Sequence, residues 1–275
     1  MYQYIYGGNM KVLLISDLHS NIHALEAIEA VEAPFDLVLC TGDIIDWGMD
    51  PKPVLSWLRR HKHVAVRGNH DDYMLSADIN IRRIAMGLDK IEGTFSTTPE
   101  PFGKETKFST YTLNRLDEDD KDYLRSLSEI AVADIDGYTY CLMHSTPKGV
   151  LDAMQKHCSQ KTFDEIWESA TSRREVPSYK RRIVFGHSHQ CWMHQVRGGA
   201  LYLNPGSTSN RAHSEDNIEP GADYMIIENG TVIMRHISYP TSELRRRIRE
   251  YGLDPQYVDI ALDMYTPAEQ SVSEL

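Results

Sequence analysis

Short apolar runs, each closed by a polar loop, alternate along this chain with stretches whose apolar residues recur at helical spacing. Val12-Leu13-Leu14-Ile15 reads as a buried strand, residues 16–21 as a loop, and Leu25, Ile28 and Val31 as one face of a helix that Asn21 is placed to cap. The unit then repeats. Residues 36–40 form a short strand, 41–50 a loop, and 51–60 a helix with Pro51 near its start, where the missing N–H costs no intrahelical bond. Residues 63–67 form a third strand that runs into Gly68-Asn69-His70-Asp71. Repetition of strand, loop and helix predicts a layered α/β fold with partly parallel sheets, in which chemistry gathers in loops at the carboxyl ends of strands.

The middle of the chain is less regular. Its pattern predicts a helix over 71–92, a loop over 93–110 containing Pro99 and Pro101, and a helix over 117–127 supported by Leu116, Tyr123, Leu124 and Leu127, together an insertion or cap over the core. Asp136-Gly137 lies between two apolar runs, a hairpin signal, and the second run ends at Met143-His144. A helical stretch of about 151–175 follows, then a strand over 182–185 that ends in Gly186-His187-Ser188-His189. Residues 191–196, 200–203 and 224–228 read as further strands, and Asn229-Gly230 turns into another over 231–237. Residues 241–251 read as a closing helix ended by Gly252, with the remainder an ill-ordered tail. The first ten residues, MYQYIYGGNM, look appended to the first strand, and Met10 is a candidate alternative start.

Composition narrows the function classes. Lys plus Arg is 29 against 40 Asp plus Glu, a net charge of −11, which argues against a protein that coats nucleic acid. No apolar run approaches the length of a membrane span, and the first ten residues lack a signal-peptide pattern, so a cytoplasmic protein with no membrane partner is expected. Cys40, Cys141, Cys158 and Cys191 form no CxxC pair and read as reduced structural thiols.

Five segments that directly follow strands carry metal-binding residue types: Asp17-Leu18-His19, Gly42-Asp43, Gly68-Asn69-His70-Asp71, His144, and Gly186-His187-Ser188-His189. One such loop means little. Five in the same position relative to strands point to a metal centre. Gly42, Gly68 and Gly186 read as backbone devices that keep side chains out of tight turns beside it.

This series resembles the calcineurin-like metallophosphoesterase superfamily over roughly residues 11–237, and the Asn204-Pro205-Gly206-Ser207 segment with the short helical insertion resembles its bacterial and archaeal phosphodiesterase branch. The resemblance implies a four-layer α/β/β/α sandwich of two mixed sheets with flanking helices and a helical insertion. It would be a single domain over 1–275, with insertions at about 71–130 and 150–180 and a C-terminal helix plus tail at about 241–275. The implied activity is metal-dependent hydrolysis of a small phosphodiester through a hydroxide bridging two metals. Alternatives are a phosphomonoesterase acting on nucleotides or phosphoproteins, and a non-enzymatic scaffold of the same fold.

Carried over by position, the resemblance implies one divalent ion held by Asp17, His19, Asp43 and His189 and a second held by Asp43, Asn69, His144 and His187, with Asp43 bridging. Carboxylate, amide and imidazole donors suit manganese, the expected metal, and also iron, zinc or nickel. His70 matches the family histidine beside the leaving-group oxygen, and Asp71 is the residue expected to orient its ring. Asn69, His70 and Arg211 are the expected substrate contacts, Arg211 either a phosphate anchor or a surface arginine. Asp46 either partners the site or caps a turn. Ser20 and Ser145 stand where many members of the branch have glycine. His23, His61, His63, His157, His194, His213 and His236 read as surface or packing residues. The arginines at 245–247 and 249 form either an anion patch or a helix end with ordinary charge preferences.

Overall fold

The computed structural model describes residues 3–87, 89, 108–146, 159–171, 175–209 and 221–265. One sheet runs, edge to edge, β11 (Thr231–Ser238), β10 (Gly221–Glu228), β2 (Lys11–Ile15), β3 (Leu37–Cys40) and β4 (His63–Ala65). β2, β3 and β4 are parallel, while β10 and β11 add an antiparallel hairpin. The other sheet runs β1 (Gln3–Tyr6), β5 (Ile130–Ile135), β6 (Tyr138–Met143), β7 (Arg181–Val184), β9 (Leu201–Pro205) and β8 (Cys191–Gln195). It too is mixed: β1 pairs parallel with β5, and β6, β7 and β9 run parallel to one another.

The pleat explains why the strand sequences read as unbroken apolar runs. Along β2, Val12 and Leu14 point between the sheets to meet Ala131, Leu142, Val184 and Leu203, whereas Leu13 and Ile15 point outward to the helices. The outer layer of the first sheet is built by α1 (Ile22–Glu32), α2 (Pro51–Arg60) and α3 (Asn69–Ala85), through Leu25, Ile28, Val54, Leu58, Met74 and Ala77. α5 (Glu118–Ser126) joins the same cluster through Leu124. α6 (Gln160–Ala170) covers the second sheet with Phe163, Ile166 and Trp167. The result is the four-layer α/β/β/α sandwich. Asn21 caps α1 by accepting the Ala24 N–H at 3.3 Å, and both predicted hairpin dipeptides are left-handed at both positions: Asp136 (φ 47°) with Gly137 (φ 79°), and Asn229 (φ 51°) with Gly230 (φ 74°).

Two expectations are corrected. The first decapeptide is not merely appended to β2, because its residues 3–6 form the edge strand of the opposite sheet. The segment after Gly252 is not wholly a tail, since α8 (Pro255–Met264) packs with α7 (Ser242–Tyr251) and α4 (Phe108–Leu113) around Leu244, Ile248, Ala261 and Tyr265. Cys40, Cys141 and Cys191 are free thiols, and Cys158 lies outside the described residues. Among the described residues no helix is long and apolar enough to cross a membrane.

Candidate metal centre

The loops after β2, β3 and β4 in one sheet meet those after β6 and β7 in the other. Backbone bonds hold them in register: the N–H groups of Asp17, His19 and Ser20 donate to the carbonyls of Gly42, Asp43 and Ile44, each at 3.0 Å. Gly186 N–H donates to His144 O at 3.0 Å and so ties together the two loops of the second sheet. The Asn204-Pro205-Gly206-Ser207 segment, which runs out of β9, is a support of the same kind. Asn204 Nδ2 donates to Gly186 O (2.8 Å) and Ser188 Oγ (3.1 Å), and the Ser207 hydroxyl donates to Asp17 O (3.0 Å).

Close approach makes glycine necessary here. A Cβ at Gly68 would lie 2.1 Å from Asp43 Oδ1, and one at Gly186 would lie 2.0 Å from Ser16 Oγ and 2.9 Å from Asp17 Oδ2. Five of the seven expected ligands, Asp17, His19, Asp43, His187 and His189, have left-handed backbones with φ between 40° and 68°. Each such residue costs about 1–2 kcal/mol. Strain concentrated in this way marks a place where side-chain direction matters more than local stability.

The side chains form two groups, Asp17 with His19 and His189, and Asp43 with His144 and His187, and within each group the candidate ligand atoms lie within 4.8 Å of one another. His19 Nε2 and His189 Nε2 are 3.2 Å apart, and His189 Nε2 is 3.2 Å from Asp17 Oδ1. Asn69 joins the second group, its Oδ1 3.1 Å from His144 Nε2 and 2.9 Å from His187 Nδ1. Asp43 stands between the groups. Its Oδ1 accepts the His70 N–H at 2.9 Å, while its Oδ2 lies 3.2 Å from His144 Nε2 and 3.8 Å from His19 Nε2. His144 Nδ1 is 2.7 Å from Thr41 O, which fixes the proton on that nitrogen and leaves Nε2 to the cluster. Lone-pair atoms converge here with too few protons to pair them, and buried His19 Nδ1 has no hydrogen-bond partner. This donor set fits divalent cations of the manganese–zinc series.

The electrostatics agree. Burial pushes the His19 imidazole down to about 3, so it stays neutral and able to ligate. Burial would raise the Asp43 carboxyl, but His144, with His70 and His19 beyond it, outweighs burial and holds it well below the usual carboxylate range. Burial likewise opposes charge on His144, which Asp43 nonetheless carries up to about 10. The Asp43 carboxylate thus draws positive charge to the centre of the cluster, where a proton and a cation compete for the same His144 Nε2 lone pair.

His70 opens α3 beside these groups. Its Nδ1 is 2.9 Å from Asp46 Oδ2, so Asp46 orients the ring. This corrects the expectation for Asp71. The Asp71 side chain turns away and is fully buried, its Oδ1 accepting the N–H groups of Ile44 (3.0 Å) and Ile45 (3.1 Å) and its Oδ2 that of Gly68 (2.9 Å). Asp71 therefore braces the loops that carry Asp43 and Asn69. Trp47, unremarked in the sequence, stacks on His19 (centroids 5.3 Å, 21°) and meets His70 edge-on at 4.6 Å. The Tyr73 ring lies 5.4 Å from that of His70.

Arg211 lies outside the described residues, as do His157 and His213. His61, His63 and His236 are engaged elsewhere, with Trp57 O, Tyr123 Oη and Asp223 respectively. On α7, Arg246 pairs with Glu243 and Glu250, and Arg247 with Asp50. Among the described residues, no lysine or arginine pairs with Asp17, Asp43, Asp46 or Asp71, whose cationic neighbours are imidazoles.

The profile of the calcineurin-like phosphoesterase superfamily domain matches residues 10–228, a span that contains every residue of both groups. An uncharacterized protein of Methanocaldococcus jannaschii is 26% identical over 215 residues, 71% of this chain and 75% of that one. A metallophosphoesterase from Sphaerobacter thermophilus superposes with a TM-score of 0.65 at 21% identity, over 94% of this chain and 100% of that one. A hypothetical protein from Pyrococcus horikoshii superposes with a TM-score of 0.68 at 14% identity, over 91% and 97% of the two chains. Both structures share the fold.

Proposed function

The chain belongs to the calcineurin-like phosphoesterase superfamily, and from that premise we propose that this metal-dependent phosphoesterase hydrolyses phosphodiesters at a two-cation centre. Asp17, His19, Asp43 and His189 hold one cation in this reading, and Asp43, Asn69, His144 and His187 the other, with manganese as the resident ion. When bound, the ions supply Lewis acidity, lowering the pKa of water and polarising phosphoryl oxygens.

The remaining roles belong to the chain. His70 Nδ1 is engaged by Asp46, so Nε2 is the atom free to meet the leaving-group oxygen, and the Asp46 carboxylate favours the protonated ring that can donate to it. Asp71 fixes the spacing of the Asp43 and Asn69 loops through three backbone bonds. What supports a diester is the resemblance of the 204–207 segment and the short helical insertion to the phosphodiesterase branch, a segment that braces the loops of Asp17 and Gly186 through Ser207 and Asn204.

The test is the initial rate of protein stripped of metal and then given manganese, on bis-p-nitrophenyl phosphate and on p-nitrophenyl phosphate. Manganese-dependent turnover that favours the diester is expected. Preference for the monoester would overturn the diester assignment, and stoichiometric manganese without turnover of either ester would overturn the enzymatic reading in favour of a scaffold.

A further inference from the structure

We infer that Trp47 and Tyr73 form a subsite for a planar aromatic ring carried by the leaving alcohol of the substrate, an assignment that rests on His70 as the residue facing that alcohol. The Trp47 and Tyr73 rings lie 4.6 and 5.4 Å from the His70 ring, and both are only partly buried. Tyr73 stands three residues beyond His70 on α3 and so shares its face of the helix. An alcohol that leaves beside His70 is therefore within reach of both rings.

Trp47 is also held at local cost. Its backbone is left-handed, with φ 59°, where a bulky side chain is an outlier. The conformation is enforced from both sides. The neighbouring Asp46 is left-handed at φ 76°, and Met49 O is gripped by the Tyr111 hydroxyl at 2.8 Å. The indole is thereby set against His19 and His70 while remaining partly open to solvent. A partly exposed aromatic side chain, constrained beside a proton donor, fits an uncharged planar ring better than a second phosphate or a sugar alone.

The test exploits the tryptophan inventory. Trp57, Trp167 and Trp192 are buried, at 0%, 0% and 3% exposure, so a surface ligand that alters intrinsic fluorescence reports on Trp47. The manganese-loaded protein is titrated with benzyl methylphosphonate and with cyclohexylmethyl methylphosphonate, monoanions that differ in the planarity of one ring. Both inhibition of diester turnover and tryptophan fluorescence are read.

Wild type is expected to prefer the benzyl compound roughly tenfold, with saturable fluorescence change for that compound only. Trp47→Leu should bring the two inhibition constants within about twofold, Trp47→Phe should keep most of the preference, and Tyr73→Leu should weaken it. Equal inhibition constants in wild type, or an undiminished preference in Trp47→Leu, would overturn the subsite. If Trp47→Leu fails to fold, the wild-type fluorescence and Trp47→Phe decide the matter. Thymidine 5′-methylphosphonate separates the two sources of a planar ring: tighter binding than the benzyl compound assigns the subsite to a nucleobase, and equal binding to aryl groups in general. A failed diester assignment would appear as monoester preference in turnover, whereas a failed subsite would appear as lost ring discrimination in the fluorescence.

Discussion

The loops of the candidate metal centre and the C-terminal helix pair α7–α8 touch each other, yet opposite physics holds them. In the loops, buried polar atoms, backbone bonds between neighbouring loops and left-handed residues aim side chains at one point, and local stability is sacrificed to direction. In the helix pair, Leu244, Ile248, Ala261 and Tyr265 bury apolar surface with Met49, Phe108 and Tyr111. The two regions meet at residues 49–50, where Arg247 donates to both oxygens of Asp50 (3.1 and 2.8 Å) and to Met49 O (3.3 Å). The helix pair lies beyond residue 228, where the superfamily match ends. A loop with left-handed residues at 43, 46 and 47 is thus held at 49–50 against an apolar neighbour that lies outside the superfamily match.

If this division is right, loop substitutions abolish function with the fold intact, and helix-pair substitutions lower stability with function intact. The largest effect is expected for Asp43→Ala, which removes the carboxylate standing between the two groups. Turnover should fall below detection and metal content of the purified protein should drop, while circular dichroism remains that of wild type. An active Asp43→Ala variant would break the comparison at its centre. Next comes His70→Gln, which should lower kcat by roughly 10²- to 10⁴-fold with metal retained. Asp46→Asn should cost about 10- to 100-fold because it disturbs the ring that His70 presents. Equal losses on a substrate with an activated leaving group and on one with a poor leaving group would exclude the proton-donor role.

On the other side, Arg247→Met should lower the stability by about 1–3 kcal/mol, because it leaves the buried Asp50 carboxylate without its guanidinium, and leave turnover within twofold. A tenfold loss of turnover at unchanged Tm would show that the helix pair tunes the site directly. The smallest effect concerns Tyr265, whose phenol burial pushes up to about 12 and whose hydroxyl lies 2.9 Å from Ser209 Oγ. The unfolded chain loses this proton near pH 10 while the folded chain keeps it, so the stability it confers is complete below about pH 10 and is lost as pH rises toward 12. Melting temperatures across that window should fall less steeply in Tyr265→Phe than in wild type. Identical slopes would place Tyr265 outside the cooperative core.

Much of this architecture was legible in the chain. β2 and β3 stand out because strands buried on both faces are continuous apolar runs, and Asp136-Gly137 and Asn229-Gly230 announce their hairpins through a turn chemistry few other pairs supply. Other features were not legible in the same way. β1 is a four-residue edge strand whose partner lies more than a hundred residues away, and nothing local names it. α8 left a signal that was available, Pro255 at its first position with Tyr257, Val258, Ala261 and Leu262 at helical spacing after it. The pairing of His70 with Asp71 failed for a geometric reason. On a helix, adjacent residues diverge by about 100°, so the carboxylate beside His70 in sequence cannot be the one beside its ring.

By itself, then, the sequence determined which residue types stand after which strands, because apolar periodicity, turn formers and loop glycines act within a few residues of where they occur. The tertiary structure alone decided that Asp46 rather than Asp71 meets His70, that one oxygen of Asp43 faces both groups, and that Trp47 closes over His19. Each of those facts is a contact across two or more loops. Its geometry depends on how far the loops are pulled together by Asp71, Gly68 and the backbone bonds between them, and no local pattern encodes that distance.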